Sequence, residues 1–232
     1  MDDKLKLSEI SGLMAHGANN LLAVIGGYFD LLRLDKSNAS GQMKEALAMA
    51  TQAATELRSL VSNFTHIVEI KEKRAVLFRQ NTDINELVSG VIKKEVKLAA
   101  ESAGVLLSVK CAGRVLYCEI DKKIVAEALA SLIKSVLKCA PVGGEIKATV
   151  NSRANNAKII LETEGLRVSA ENFRRIFGVE EAAKVNVGAA VSVGLVFCRL
   201  AIHAHGGSVR VKRLDDKKSA LILTIPRTYR SR

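Results

Sequence analysis

Two side chains have the types and spacing to do chemistry together: His16 and Asn20. Four residues apart on a helix, they share one face and flank the apolar stripe. A near-neutral imidazole is a competent nucleophile towards phosphorus, and the small neighbours Ala15, Gly17 and Ala18 leave room for a docking partner. Alone the pair is weak evidence, because a histidine on a helix flank is more often simply part-exposed. The other imidazoles carry blander expectations. His66 falls near the end of a second helix, and His203 and His205 near the end of a late one, where imidazolium suits the helix dipole and capping or surface roles are expected. Cys111, Cys118, Cys139 and Cys198 are irregularly spaced, without C-x-x-C or a histidine at ligand spacing. They read as buried reduced thiols, and neither a metal site nor a disulfide framework is expected.

Helices must position His16 and Asn20. Lys6 to about Leu34 and about Gln42 to Lys71 read as two long helices, separated by the turn-rich stretch Asp35 to Gly41. In the second, Met43, Leu47, Ala50, Ala54, Leu57, Val61, Phe64 and Val68 step by 4-3-4-3-4-3-4, a coiled-coil seam. Its six large side chains yield about 1.5 to 3 kcal/mol each on full burial, while ordering each backbone residue costs about 1 to 2 kcal/mol. A lone hairpin would not stand. Two hairpins paired into a four-helix bundle cover both seams, so the region predicts a homodimer.

Beyond Lys71 the periodicity changes. The division expected is a helical hairpin over 1–72, a linker over 73–82 and a second domain over 83–232. Asp83 to Glu86 has capping-box spacing and opens a helix to about Ser102, stopped by Gly104. Val105 to Cys111 and Leu116 to Ile120 are strand-like, and Asp121 caps a helix through Lys138. Strands are expected near Glu145 to Asn151 and Lys158 to Thr163, then a short helix at Glu171 to Phe177, a helix ending at Gly206-Gly207, and a hairpin around Asp215-Asp216. The fold class is therefore a helical hairpin followed by an α+β two-layer sandwich.

The run from Ala15 to Leu32, AHGANNLLAVIGGYFDLL, resembles the phospho-acceptor box of two-component histidine kinases, commonly A-H-E-x-x-N-P-L-x-x-I-x-G-x-x-x-L-L. His16, Asn20, Leu22, Ile25, Gly27 and the Leu31-Leu32 pair match. The resemblance implies that His16 is phosphorylated and that the hairpin is the dimerisation domain. Gly17 stands where the family has the acid that serves as base for attack on ATP, and Leu21 where it has a proline. Glycine cannot accept a proton.

The remainder resembles the family's ATP-binding domain, with eroded boxes. Asp121 to Gly144 is similar to the N-box segment, but Ser131 and Ser135 replace its two Asn, the second of which holds Mg²⁺ in the family; Lys138 is kept. Thr163 replaces the adenine-reading Asp of the D-x-G-x-G box, aligned through Ile176-Phe177, and Arg167 replaces one of its glycines. Ser192-Val193-Gly194-Leu195 stands for G-L-G-L ahead of a helix, and Ala204-His205-Gly206-Gly207 matches A-H-G-G. Gly17, Ser131, Ser135, Thr163 and Arg167 together predict that ATP is not used and that no cofactor is held. The subgroup most resembled is the dimeric bacterial histidine phosphotransferases with a degenerate kinase-like domain.

Composition narrows the partners. No run reaches the roughly 18 to 20 apolar residues of a bilayer crossing, and MDDKLKLSEI lacks the layout of a signal peptide, so a cytoplasmic location without membrane insertion is expected. The formal charge is +11, and residues 206–232 carry eight Lys/Arg against two Asp. With aromatics at 4% and no nucleic-acid motif, an acidic protein is preferred to nucleic acid as partner. The expectation is a phosphorelay protein: His16 takes a phosphoryl group from the aspartate of one response-regulator receiver domain and passes it to another, with Asn20 positioning the partner and a hybrid histidine kinase as a further expected partner. The alternatives are an adaptor that carries no phosphate, and an active histidine kinase without its own sensor.

Overall fold

The computed structural model describes residues 7–34, 40–164, 189–215 and 218–228. Helices α1 (Leu7–Leu34) and α2 (Ser40–Lys71) form the hairpin. On α1, Ile10 and Gly17 are buried and Met14, Leu21, Ile25 and Tyr28 half-buried, steps of three and four that keep one stripe inward. On α2 the buried positions are Ala46, Ala50, Ala53, Leu60, Asn63 and Ile67. Of the expected seam only Ala50 lies on this stripe, and the rest lies beside it. Met43, Leu47 and Val61 remain 49%, 54% and 42% exposed, while Leu57, Phe64 and Val68 are half-buried. Periodicity reports that α2 has an apolar face without reporting which neighbour covers it. Here Ala46, Ala50 and Ala53, followed by Leu60, Asn63 and Ile67, pack inside the chain, and Met43, Leu47 and Val61 are left outward.

After the hairpin, β1 (Gln80–Asp83) pairs antiparallel with β3 (Tyr117–Ile120), so part of the stretch read as linker is a strand. Asp83 caps α3 (Ile84–Val91) by accepting from the Asn85 backbone N–H at 3.0 Å. The helix expected to run unbroken to Ser102 contains a π-helical turn (Ile92–Val96) before α4 (Lys97–Ser102), and Gly104 at φ +64° ends it. Asp121 caps α5 (Lys122–Cys139), accepting from Lys123 and Ile124 N–H groups at 3.1 Å each. Both caps follow from one chemistry: a short carboxylate satisfies amides that the first helical turn leaves without partners.

The five-stranded sheet has the order β2 (Leu106–Lys110), β4 (Glu145–Arg153), β5 (Asn156–Glu164), β7 (Lys218–Pro226), β6 (Ser208–Arg213). β2 and β4 are parallel, the other pairs antiparallel. Inward residues Ile146, Ala148, Val150, Ile159, Leu161, Leu221, Leu223 and Ile225 are fully buried beneath α3, α5 and α6 (Ala189–Ala204). Ile10, Leu60 and Ile67 of the hairpin belong to the same core cluster as Val193, Phe197 and Leu129, so hairpin and sandwich share one apolar interior. The short helix expected at Glu171 to Phe177 lies outside the described residues. No described helix is long and apolar enough to cross a membrane.

Candidate functional site

His16 is exposed on α1, and the Asn20 amide Nδ2 donates to its Nε2 at 3.3 Å. An amide nitrogen can only donate, so in this contact Nε2 is the acceptor and the ring proton sits on Nδ1. One residue on, the helix turns by about 100° and presents Gly17 to the interior. A Cβ there would stand 2.9 Å from Ala189 Cβ and 3.0 Å from Leu60 Cδ2. Gly17 is therefore not part of the free surface beside His16, as its size had suggested; it is the seat of the first turn of α6. The position where the resemblance puts a catalytic acid has no room for a side chain.

The positions aligned with the nucleotide boxes are spent on packing. Ser131 Oγ accepts from Asn63 Nδ2 of α2 at 2.9 Å. Ser135, 4% exposed, donates its hydroxyl to the Ser131 carbonyl at 2.8 Å and lies 3.4 Å from the Val191 carbonyl. Lys138 Nζ meets Glu56 Oε2 of α2 at 2.7 Å. A Cβ on Gly194 would come within 2.7 Å of Ser131 Oγ and 3.0 Å of Ser135 Oγ, so α6 is seated directly over both hydroxyls. Ser192-Val193-Gly194-Leu195, expected ahead of a helix, lie within α6, all buried. From its fifth residue onward a helix bonds its N–H groups along its own axis, so those of Val193, Gly194 and Leu195 are not left to cradle phosphate. A hydroxyl turned into a helix–helix contact is a poor Mg²⁺ ligand. The described residues do not fit a metal nucleotide held as the resemblance would hold it. Thr163 is buried on β5, paired across from Ile146, whereas Arg167 and Ile176-Phe177 lie outside the described residues.

The remaining histidines and cysteines depart in part from expectation. His66 stacks on Phe197 of α6 with ring centroids 5.2 Å apart at 20°, with Nε2 2.8 Å from Glu127 and Nδ1 3.4 Å from Glu69. His205, expected at the surface, is 1% exposed: Nδ1 donates to the Ala201 carbonyl at 2.7 Å, and Nε2 accepts from the Asp121 N–H at 3.0 Å. It ties the end of α6 to the cap of α5. His203 is exposed. Cys118, Cys139 and Cys198 are buried, and burial pushes the Cys118 thiol up to about 11, whereas Cys111 is exposed with Sγ 3.2 Å from Ser89 Oγ. Among the described residues no three His, Cys, Asp or Glu side chains converge as metal ligands.

His205 makes stability pH-dependent. Burial, the largest effect, holds its pKa below the ordinary value of 6.5, against a raising effect of the Ala201 carbonyl. The folded state then binds fewer protons than the unfolded one, so stability is fully present above about pH 6.5 and is lost as pH falls towards the lowered value. Denaturant midpoints of wild type are expected to drop from pH 7.5 to 5.5, and His205→Gln to drop less. Parallel pH profiles for the two would contradict this.

Asn63, Glu56 and Glu127 carry roles that the sequence did not assign. Asn63 had a signal: a polar residue in step with Leu60 and Ile67 on a buried stripe asks for a partner. For Glu56 and Glu127, solvent-facing charge and interhelical pairing look alike in sequence.

A hairpin with an exposed histidine on its first helix, followed by a five-stranded α+β sandwich, is the fold of a histidine-kinase core, with an ATPase-type second half. No family model matches the chain. It is similar to the sensor protein SrrB of Staphylococcus aureus, 20% identical over 97% of this chain and 39% of that protein, so it spans about two fifths of this curated relative. In structure it is similar to the histidine kinase ThkA in complex with the response regulator TrrA, with TM-score 0.71 and 21% identity over 97% of this chain and 63% of that one. The Acinetobacter baumannii histidine kinase AdeS superposes with TM-score 0.66 at 16% identity, over 91% of this chain and 98% of that one.

Proposed function

We propose that this chain is a dimeric histidine phosphotransferase of a two-component phosphorelay. His16 Nε2 attacks the aspartyl phosphate of a receiver domain. An N–P bond forms as the P–O bond to the aspartate breaks, the carboxylate leaves, and the phosphoimidazole then donates to the aspartate of a second receiver by the reverse exchange. The receiver supplies the metal and the electrophile, so the chain itself needs no base at position 17. Residues 1–72 would dimerise and carry the phosphoryl group, and residues 83–232 would serve as a docking module. A hybrid kinase is a fitting source of the phosphoryl group, and the cytoplasm the fitting compartment.

The carrying observation is the contrast between His16, exposed with its nucleophilic nitrogen addressed by Asn20, and Ser131, Ser135 and Lys138, all engaged within the chain. ThkA, which has this fold, has been seen with a response regulator. The outward residues Met43, Leu47 and Val61 of α2 and Leu22, Val24 and Phe29 of α1 support a second copy as their cover. A titration with Mg-ATP is expected to give no saturable binding in the micromolar range. Micromolar affinity would favour an active kinase instead.

A second reading, an adaptor that binds regulators without carrying phosphate, is favoured by the loss of the acid at Gly17. His16→Ala decides between them in cells: the relay reading predicts loss of signalling with dimer and partner binding intact, the adaptor reading predicts no change.

A further inference from the structure

We infer that the hairpin is latched to the sandwich by a polar ladder laid over the face of α5 that the N-box resemblance would give to a metal nucleotide, so that the chain's own contacts fix how His16 is presented. Along α2, Glu56, Asn63 and His66 meet Lys138, Ser131 and Glu127 of α5, at 2.7, 2.9 and 2.8 Å. The numbers rise on one helix as they fall on the other, so the helices run antiparallel. Steps of seven and three on α2 against seven and four on α5 keep one face in register for about 15 Å. Beneath the ladder Leu60 and Ile67 are fully buried, and Phe197 lies flat against His66. On α1, Gly17 accepts the first turn of α6 beside Leu60.

An exposed ion pair alone holds little, and Lys138 and Glu56 are part-exposed. The central rung is different. Asn63 is 9% exposed, and separating it from Ser131 would strand a buried amide. The two ends and the centre of the ladder therefore reinforce one another. A nucleotide on this face of α5 would have to displace Asn63 and Glu56 first, so latched hairpin and bound nucleotide exclude each other. Read with the relay proposal, on which its purpose but not its geometry rests, the latch keeps His16 outward whether or not nucleotide is present.

The full chain can test this with a spin label on Cys111, the one exposed cysteine of the four, and another introduced by Glu45→Cys on an exposed position of α2, diluted into unlabelled chain. Wild type is expected to give one narrow distance that millimolar Mg-ATP leaves unchanged. Glu56→Lys with His66→Glu sets like charges opposite Lys138 and Glu127, and is expected to broaden and shift that distance. Adding Lys138→Glu and Glu127→Lys is expected to restore it. Asn63→Leu, which adds no charge, gives a second reading and is expected to broaden the distribution alone. An unchanged distance in the double variant or in Asn63→Leu, a failure of the fourfold variant to restore it, or a shift of wild type with Mg-ATP would each overturn the latch. Label transfer from phosphorylated receivers is measured separately: distances as expected with no labelled His16 keep the latch and remove the relay, and the converse keeps the relay alone.

Discussion

Gly17→Glu is expected to push α1 off α6 and lower stability, and not to restore ATP-dependent labelling of His16. By resemblance alone it supplies the missing acid and should revive a kinase. The packing gives the opposite answer. A Cβ at residue 17 meets Ala189 Cβ at 2.9 Å and Leu60 Cδ2 at 3.0 Å. Leu60 can change rotamer, but Ala189 has none to change, so relief must come from movement of a helix. Overpacking of this kind costs about 1 to 3 kcal/mol. A carboxylate beside fully buried Leu60 adds desolvation, which the chain escapes by letting the hairpin swing out. In a chain of this size each kcal/mol corresponds to about 2 to 4 °C of melting temperature. Gly17→Ala should show the volume effect alone, and smaller. A Gly17→Glu protein with wild-type stability and ATP-dependent labelling would show that the seat against α6 does not matter.

On the proposed relay, His16→Gln is expected to abolish phosphoryl passage between receivers while leaving the fold unchanged. Glutamine keeps a polar, exposed side chain at the position, but an amide nitrogen has no lone pair available to attack phosphorus. Asn20→Ala should act by degree, since the ring nitrogen survives and only the amide at 3.3 Å is lost. One hydrogen bond, about 0.5 to 1.5 kcal/mol, corresponds to a rate loss of about two- to tenfold. Label transfer from a phosphorylated receiver, followed over time, separates the two. Equal loss in both variants would mean that Asn20 does more than orient His16, and undiminished passage in His16→Gln would place the carrier elsewhere.

Much of the fold was legible because local physics determined it. Asp83 and Asp121 cap the helices they announce, Gly104 ends one with a positive φ, and the alternation of β4 and β5 puts Ile146, Ala148 and Val150 inward opposite Ile159 and Leu161. The π-helical turn at Ile92–Val96 was not legible, because an inserted residue in a helix leaves no clear periodic mark. Nor was the partition of α2 between neighbours. Its seam of large residues was visible, but the side that faces its own chain runs from Ala46, Ala50 and Ala53 to Leu60, Asn63 and Ile67, recognisable only once α6 is in place. At the site, His16 and Asn20 were singled out by the resemblance of the run from Ala15 to Leu32, their spacing alone being a weak signal. What closes the rest could not be singled out, since Asn63 to Ser131 spans 68 residues and Glu56 to Lys138 spans 82. His205 shows the same limit. A histidine before two glycines suggests a helix end at the surface, and only the packing of α6 against the cap of α5 makes it a buried strut.

The most direct test of the account is to mix the chain with phosphorylated receiver domains in the complete absence of nucleotide and locate the phosphoryl group by mass spectrometry. His16 is expected to carry an acid-labile phosphoryl group, absent in His16→Gln and released again on adding an unphosphorylated receiver. Labelling of His16 that requires ATP, or no labelling by any receiver, would contradict this.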